Sequence, residues 1–181
     1  MTPYEMIAQG IGIVAMIFNI LMFQNKTSKG AIAFQLIGAS LFTVSYFMLG
    51  ATVGALMNII AVVRNFVFLY RERLHADHPA WLAGFIVAYL GAYVLTFTVF
   101  GKEWSATNAV LEFLPVIAMT AATVSYRHED AAVIRRYGLI ASPAWLIYNS
   151  VNVAIGAIVC ESPSIASIVI GMLRLDREKK G

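Results

Sequence analysis

Polar side chains inside long apolar stretches are the residues of this chain best suited to chemistry. Asn58 and Asn65 are seven residues apart in one such stretch, so a helix would place both amides on one face, two turns apart. Two amides on one stripe can donate hydrogen bonds to a neutral polar solute and accept them from it. They can equally join neighbouring helices, which is a common use of asparagine in membrane bundles.

A second polar group combines an aromatic ring with amides. Trp145, Asn149 and Asn152 share one helical stripe, which suits a ring-containing solute that stacks on the indole and bonds to the amides. Tryptophan is also typical of the membrane interface, but Trp145 lies about eight residues inside its apolar stretch, deeper than an interfacial belt. The candidate substrate-binding residues are therefore Asn58, Asn65, Trp145, Asn149 and Asn152.

Two charged residues also fall within apolar stretches. Glu112 stands close to Pro115, whose ring removes a backbone hydrogen bond and predicts a kink. A carboxylate beside a kink could couple transport to protons, or it could be solvated or paired near the outer interface. Arg64 could bind an anionic ligand, but we expect its long side chain to reach the interface about two turns away. A Glu112–Arg64 ion pair is conceivable if the offset between their depths in the membrane is bridged.

Four residues are candidates for mechanical roles, because glycine and proline mark turns and kinks. Gly50 and Gly156 lie in corresponding short turns between apolar stretches, and Pro115 and Pro143 lie inside such stretches. We expect all four to act as hinges or kinks. Glu161, just before a later stretch, is expected to cap the start of a helix.

The chain has no motif of a cofactor site, a metal site or an enzyme. It contains no glycine-rich phosphate loop, no His-Glu-x-x-His sequence and no nucleophile elbow. His75, His78 and His128 lie in charged connections, where solvated loops are the simpler interpretation. We therefore expect no catalytic residue, no metal and no cofactor.

The elements that must position these residues are membrane helices. The 181 residues are 60% hydrophobic and only 13% charged, whereas a soluble domain is about 25% charged. Apolar runs of about 18–21 residues fit a helix that crosses a hydrocarbon layer roughly 30 Å thick. One membrane domain, 1–181, is expected, with the lipid bilayer as its surroundings and no nucleic acid partner. The predicted spans are 6–23, 31–49, 53–70, 80–100, 107–126, 137–157 and 159–175.

The distribution of basic residues predicts the orientation of these spans. Eleven of the 13 Lys and Arg residues fall in the connections and tail on one side, Lys102 alone falls on the other, and Arg64 lies within a span. Basic residues collect on the cytoplasmic side of membrane proteins. The chain is therefore expected to have its N-terminus outside and its C-terminus in the cytoplasm, which requires an odd number of spans.

The chain also contains a weak internal repeat. At an offset of 106 residues, Leu49-Gly50-Ala51 corresponds to Ile155-Gly156-Ala157, and Arg71-Glu72 corresponds to Arg177-Glu178. The pattern predicts two parallel three-helix repeats joined by a linker helix, a 3+1+3 plan found in SWEET transporters. Repeat one then covers 4–73, the linker helix 79–101, and repeat two 106–178.

Four short sequences carry a resemblance to a known family. They are Ala8-Gln9-Gly10-Ile-Gly12, Phe47-Met-Leu-Gly50, Glu112-Phe-Leu-Pro115-Val-Ile and Trp145-Leu-Ile-Tyr148-Asn149. The chain resembles the YgjV-like bacterial inner membrane proteins, within the wider SWEET and PQ-loop superfamily. The resemblance implies a multi-pass protein of the bacterial inner membrane, with a solute pocket between two three-helix bundles. The Pro-Gln dipeptide of the PQ-loop group is absent, since Pro143 is followed by Ala144.

Two functions follow as hypotheses. The first is a non-enzymatic small-solute transporter or facilitator that works by alternating access, for a neutral, polar, ring-containing solute such as a sugar, nucleoside or vitamin-like compound. The alternative is a membrane scaffold or sensor of the same fold that transports nothing. The alternative predicts a dry, tightly packed bundle interface, whereas a transporter needs a solvated cavity. Association into a homo-oligomer is compatible with both.

Overall fold

Helices joined by short loops make up the part of the chain that the structure describes. The computed structural model describes residues 2–49, 52–151 and 155–176, with the backbone alone at 52, 53, 149 and 155–160. Within these ranges there is no β-strand, and one isolated bridge joins Thr27 to Asp130. The described helices are α1 (Pro3–Met22), α2 (Ser28–Met48), α3 (Thr52–Leu69), α4 (Arg71–Leu74), α5 (Pro79–Thr98), α6 (Ala106–Tyr126), α7 (Ala131–Val151) and α8 (Ile155–Gly171), with a π-helical turn at Met172–Asp176.

Local capping chemistry sets most of the helix starts. The hydroxyl groups of Thr2, Thr27 and Ser105 accept hydrogen bonds from backbone N–H groups in the first turns of α1, α2 and α6. Pro79 occupies the first position of α5, where its missing N–H costs nothing. These starts lie within three residues of the predicted ones, because a cap acts through the adjacent sequence alone.

The start of α7 differs more from the prediction. The sixth span was predicted to begin at residue 137, but α7 begins at Ala131, so Arg135 and Arg136 belong to the helix and not to a connection. The Asp130 carboxylate accepts a hydrogen bond from the Ala132 N–H at 2.9 Å, which stabilises the earlier start. Arg135 is tolerated there because the Asp176 carboxylate neutralises it.

The distribution of side chains is that of a membrane protein. Large apolar residues such as Ile13, Val87 and Val110 are more than half exposed, while polar residues such as Thr123 and Ser125 are buried. An apolar exterior of this kind suits hydrocarbon, in which polar groups turn inward. Four of the described helices are long and apolar enough to cross a membrane, namely α1, α2, α5 and α6.

The helices form two groups of three that contact each other. In the first group α2 packs between α1 and α3, and in the second α7 packs between α6 and α8. Helix α5 contacts both α3 and α6. Between the groups, α1 contacts α8, α2 contacts α7 and α3 contacts α6. The seam between the two groups therefore follows the contacts of α1 with α8, of α2 with α7 and of α3 with α6.

The loops at one end of the bundle are held by charge. The Arg71 guanidinium pairs with the Asp77 carboxylate and donates to the Arg127 carbonyl. In return, Arg127 Nη2 donates to the Asp77 carbonyl at 2.9 Å. The hydrogen bond from Arg71 lowers the pKa of the Asp77 carboxyl below its ordinary 3.8, so this carboxylate stays ionised down to acidic pH.

Helix α8 approaches α1 through small and polar residues. The Ser167 hydroxyl donates to the Ile20 carbonyl at 2.8 Å, and Gln24 Nε2 donates to the Ser167 carbonyl at 2.7 Å. At Gly171, an added Cβ would lie 2.6 Å from the Phe23 carbonyl oxygen. The second half of α8 therefore serves close helix packing.

Replacing Gly171 by alanine should destabilise the protein. The new methyl group would meet the Phe23 backbone and the Arg135 side chain, which lies 2.9 Å from the Cβ position, so either must shift. We expect a loss of about 1–3 kcal/mol in the free energy of unfolding, as for other overpacked sites. Gly91→Ala in α5 is the matched control, because nothing lies within 4 Å of its Cβ position. Equal thermal stability of the two variants in detergent would contradict the close contact.

Candidate functional site

A cavity with polar and charged groups in a mainly apolar lining lies at the seam between the two helix groups. Its volume is about 120 Å³, and its lining comes from α1, α2, α3, α6, α7 and α8. The charged and amide-bearing residues that line it are Asn19, Gln35, Asn58, Arg64 and Glu161. Polar groups are costly in the interior of a membrane protein unless they have partners or a function.

Two of the predicted binding residues line this cavity. Asn58 does so from α3, and its Nδ2 donates to the Gly54 carbonyl one turn earlier at 2.9 Å. Trp145 lines the cavity from α7, where its ring stands edge-on to Tyr148 with 5.7 Å between the ring centroids. The cavity thus brings together an amide and an aromatic plate from opposite helix groups.

Asn65 has a different position from the predicted one. It is 0% exposed and does not line the cavity. Its Oδ1 accepts hydrogen bonds from Arg64 Nε at 3.2 Å and from Arg64 Nη2 at 3.1 Å, while its Nδ2 has no partner. Asn65 therefore orients Arg64 and would not touch a solute itself.

The expectation that the Arg64 side chain reaches the interface is wrong. Arg64 is 0% exposed, lines the cavity and stacks on Tyr126, with its Cζ 4.8 Å from the ring centroid. Its Nη1 donates to the Met119 carbonyl at 3.4 Å. These contacts with Asn65, Tyr126 and Met119 hold the guanidinium inside the bundle. Among the described residues no carboxylate forms an ion pair with it.

Glu112 is paired outside the cavity. It is 3% exposed, forms an ion pair with Lys102 and accepts a hydrogen bond from the Tyr148 hydroxyl at 3.2 Å. The conceivable Glu112–Arg64 pair does not form. Lys102 comes from the loop before α6, so this contact fixes that loop to the bundle. A role of Glu112 in proton coupling stays a prediction.

Glu161 is a cavity residue that sequence reasoning missed. It was expected to cap a helix start, but α8 begins at Ile155 and carries Glu161 in its interior. Ser142 on α7 and Glu161 on α8 both line the cavity. Ser164, one turn further along α8, lines it too. The sequence did contain a signal for this placement. Glu161 and Ser164 are three residues apart, which places both side chains on one face of a helix.

Two further lining residues carry unpartnered acceptor atoms. Asn19 Oδ1 on α1 and Gln35 Oε1 on α2 are buried and lack a hydrogen-bond partner within the described chain. A buried amide oxygen without a partner is unusual in a native structure. Each is an amide within a long apolar helix, which was the signal available in the sequence.

The predicted mechanical residues are only partly covered by the described ranges. Pro115 lies inside α6 and is buried, and Pro143 lies inside α7 beside the cavity residue Ser142. Gly156 belongs by its backbone to the first turn of α8. The predictions for Gly50, Asn152 and the Asn149 side chain lie outside the described residues.

Comparison with known proteins identifies the family of the chain. A family described as bacterial inner membrane protein, Imp-YgjV, matches residues 6–179. Neither the curated proteins nor the solved structures give a match. The apolar exterior and the long apolar helices agree with a membrane location. The chain belongs to the Imp-YgjV family of bacterial inner membrane proteins.

Proposed function

We propose that the chain is a small-solute transporter that crosses the inner membrane seven times and works by alternating access. The observation that carries the proposal is the cavity between the two helix groups, with Arg64 and Glu161 in its lining. A cavity at the interface of two bundles can be exposed to either side when the bundles rock against each other.

The helix contacts support the proposed 3+1+3 plan. Helices α1–α3 would form repeat one, α5 the linker helix and α6–α8 repeat two. The cross-contacts are those of two related halves, because α1 meets α8 as α6 meets α3, while α2 meets α7. With the basic loops in the cytoplasm, the N-terminus lies outside. This arrangement is the one expected of SWEET-like proteins.

The scaffold alternative fits the cavity less well. A scaffold needs only a dry, well-packed interface. This seam instead contains the buried Arg64 guanidinium, and it also contains two buried amide oxygens that have no hydrogen-bond partner, Asn19 Oδ1 and Gln35 Oε1. Burying unpartnered polar groups destabilises a protein, so such groups are expected where they serve a function. Ligand binding is such a function, and it favours a transporter or a sensor over a scaffold.

The amides and the indole in the apolar stretches predict a neutral, polar, ring-containing solute. Asn58 and Trp145 remain the residues proposed to bind it, Asn58 by a hydrogen bond and Trp145 by stacking. That prediction expected Arg64 to reach the interface, and it did not include Glu161, Asn19 and Gln35 in the site.

Uptake into proteoliposomes tests the proposal. We expect the purified protein to transport at least one compound from a panel of sugars, nucleosides, amino acids and vitamin-like solutes. Trp145→Ala should lower that uptake by about two- to tenfold, since stacking contributes about 0.5–1.5 kcal/mol. Trp104→Ala is the control, because Trp104 is 69% exposed outside the cavity. Transport of no compound in the panel, or equal uptake by both variants, would count against this site.

A further inference from the structure

We infer that the cavity binds a small amphoteric solute, one that carries both an anionic and a cationic group, of about the size of alanine. The inference names a substrate class for the site and rests on the proposed function only for the transport of that solute. Its evidence is the charge, the unpartnered atoms and the volume of the cavity.

Arg64 supplies the site for the anionic group. Its guanidinium is fully buried, and no described carboxylate pairs with it. Its partners, which are Asn65 Oδ1, the carbonyl and sulfur of Met119 and the face of the Tyr126 ring, carry no net negative charge. The four hydrogen bonds leave at least one of its five N–H donors unused. A buried charge without an ionic partner is costly, so a carboxylate on the ligand would neutralise Arg64 and accept a hydrogen bond from it.

Glu161 and two amide oxygens supply the site for the cationic group. Asn19 Oδ1 and Gln35 Oε1 are buried acceptors without partners, and the Glu161 carboxylate lines the same cavity. An ammonium group has three N–H donors and no acceptor, which matches a set of oxygen atoms. Glu161 and Arg64 do not pair with each other, so the ligand would lie between opposite charges.

The cavity volume limits the size of the ligand. A cavity of about 150 Å³ accommodates benzene, with its six heavy atoms. The cavity here is about 120 Å³, which suits alanine, also with six heavy atoms, and is too small for a monosaccharide in this conformation. A solute with only one charge would leave Arg64 or Glu161 uncompensated, so the site should reject it.

Titration calorimetry on the full-length protein in detergent tests the inference. The probes are L-alanine, propionate, propylamine and glucose. We expect L-alanine to bind most tightly, and Arg64→Gln and Glu161→Gln each to weaken its binding by roughly 10- to 100-fold, since each removes a charged hydrogen-bond partner. Arg136→Gln and Glu103→Gln are matched controls, because both side chains are exposed, and they should bind L-alanine as the unmodified protein does.

The selectivity of the unmodified protein keeps the test decisive if a variant fails to fold. Binding of L-alanine to neither the protein nor its variants, tighter binding of glucose, or cavity variants that bind L-alanine as tightly as the unmodified protein would each overturn the inference. Uptake of a neutral solute that is indifferent to Arg64→Gln would overturn it and leave the proposed transport standing. Binding of L-alanine without uptake would overturn transport and leave the binding site standing.

Discussion

Ala61→Phe should abolish solute uptake while the protein still folds. Ala61 is 2% exposed and lines the cavity from α3, one turn from both Asn58 and Arg64. The added ring is of the size that fills a cavity of about 150 Å³, and only about 120 Å³ is present here. We expect uptake to fall to the level of empty liposomes, with a stability cost of about 1–3 kcal/mol from overpacking.

The control for this substitution lies on the same helix. Val63→Phe adds a comparable group at a position that is 50% exposed, on the outer face of α3. Uptake by Val63→Phe should equal that of the unmodified protein. Normal uptake by Ala61→Phe, at a protein yield matching the control, would mean that solute does not pass through the cavity.

Arg135→Gln should produce the largest loss of stability. Arg135 is 1% exposed, and its Nη1 donates to the Phe23 carbonyl at 3.2 Å and to the Asn25 carbonyl at 2.9 Å. Its Nε and Nη2 pair with the Asp176 carboxylate. One side chain thus ties α7 to the loop after α1 and to the turn after α8. Removing one partner of a buried ion pair costs about 3–5 kcal/mol.

Thermal unfolding in detergent measures this loss against a neighbouring arginine. Arg136 follows Arg135 in α7 but is exposed, so Arg136→Gln removes the same charge without removing a buried contact. We expect its unfolding temperature to stay close to that of the unmodified protein. Similar unfolding temperatures for the two variants would show that the Arg135 contacts contribute little.

Much of the helical organisation could be predicted from the sequence. Apolar length and local caps are properties of consecutive residues, which is why the predicted starts of α1, α2, α5 and α6 lie close to the observed ones. The internal repeat also has a counterpart in the site, since Asn58 and Ser164, at the 106-residue offset, both line the cavity. Asn65 and Gly171 also correspond at this offset, but they have different roles. Asn65 accepts hydrogen bonds from Arg64, whereas Gly171 packs against Phe23.

The charged part of the site could not be predicted in the same way. Whether Arg64 reaches the interface or stays inside depends on Tyr126 and Met119, which come from a helix far along the chain. Glu161 was assigned to a helix start because Ser162 and Pro163 follow it, and that signal is ordinary at a cap. In the structure α8 already begins at Ile155, so Glu161 lies inside this helix and does not cap its start. Partners contributed by distant helices are not encoded in local spacing.

Access to the cavity from both sides of the membrane is the central claim, and thiol labelling measures it directly. Cys160 is the only cysteine, so Ser164→Cys in a Cys160→Ser background places a single thiol in the cavity lining. The vesicles are prepared in both orientations and treated with a membrane-impermeant maleimide. We expect labelling from each side, at rates that change when the transported solute is added. Labelling from neither side, or from one side alone under all conditions, would contradict alternating access.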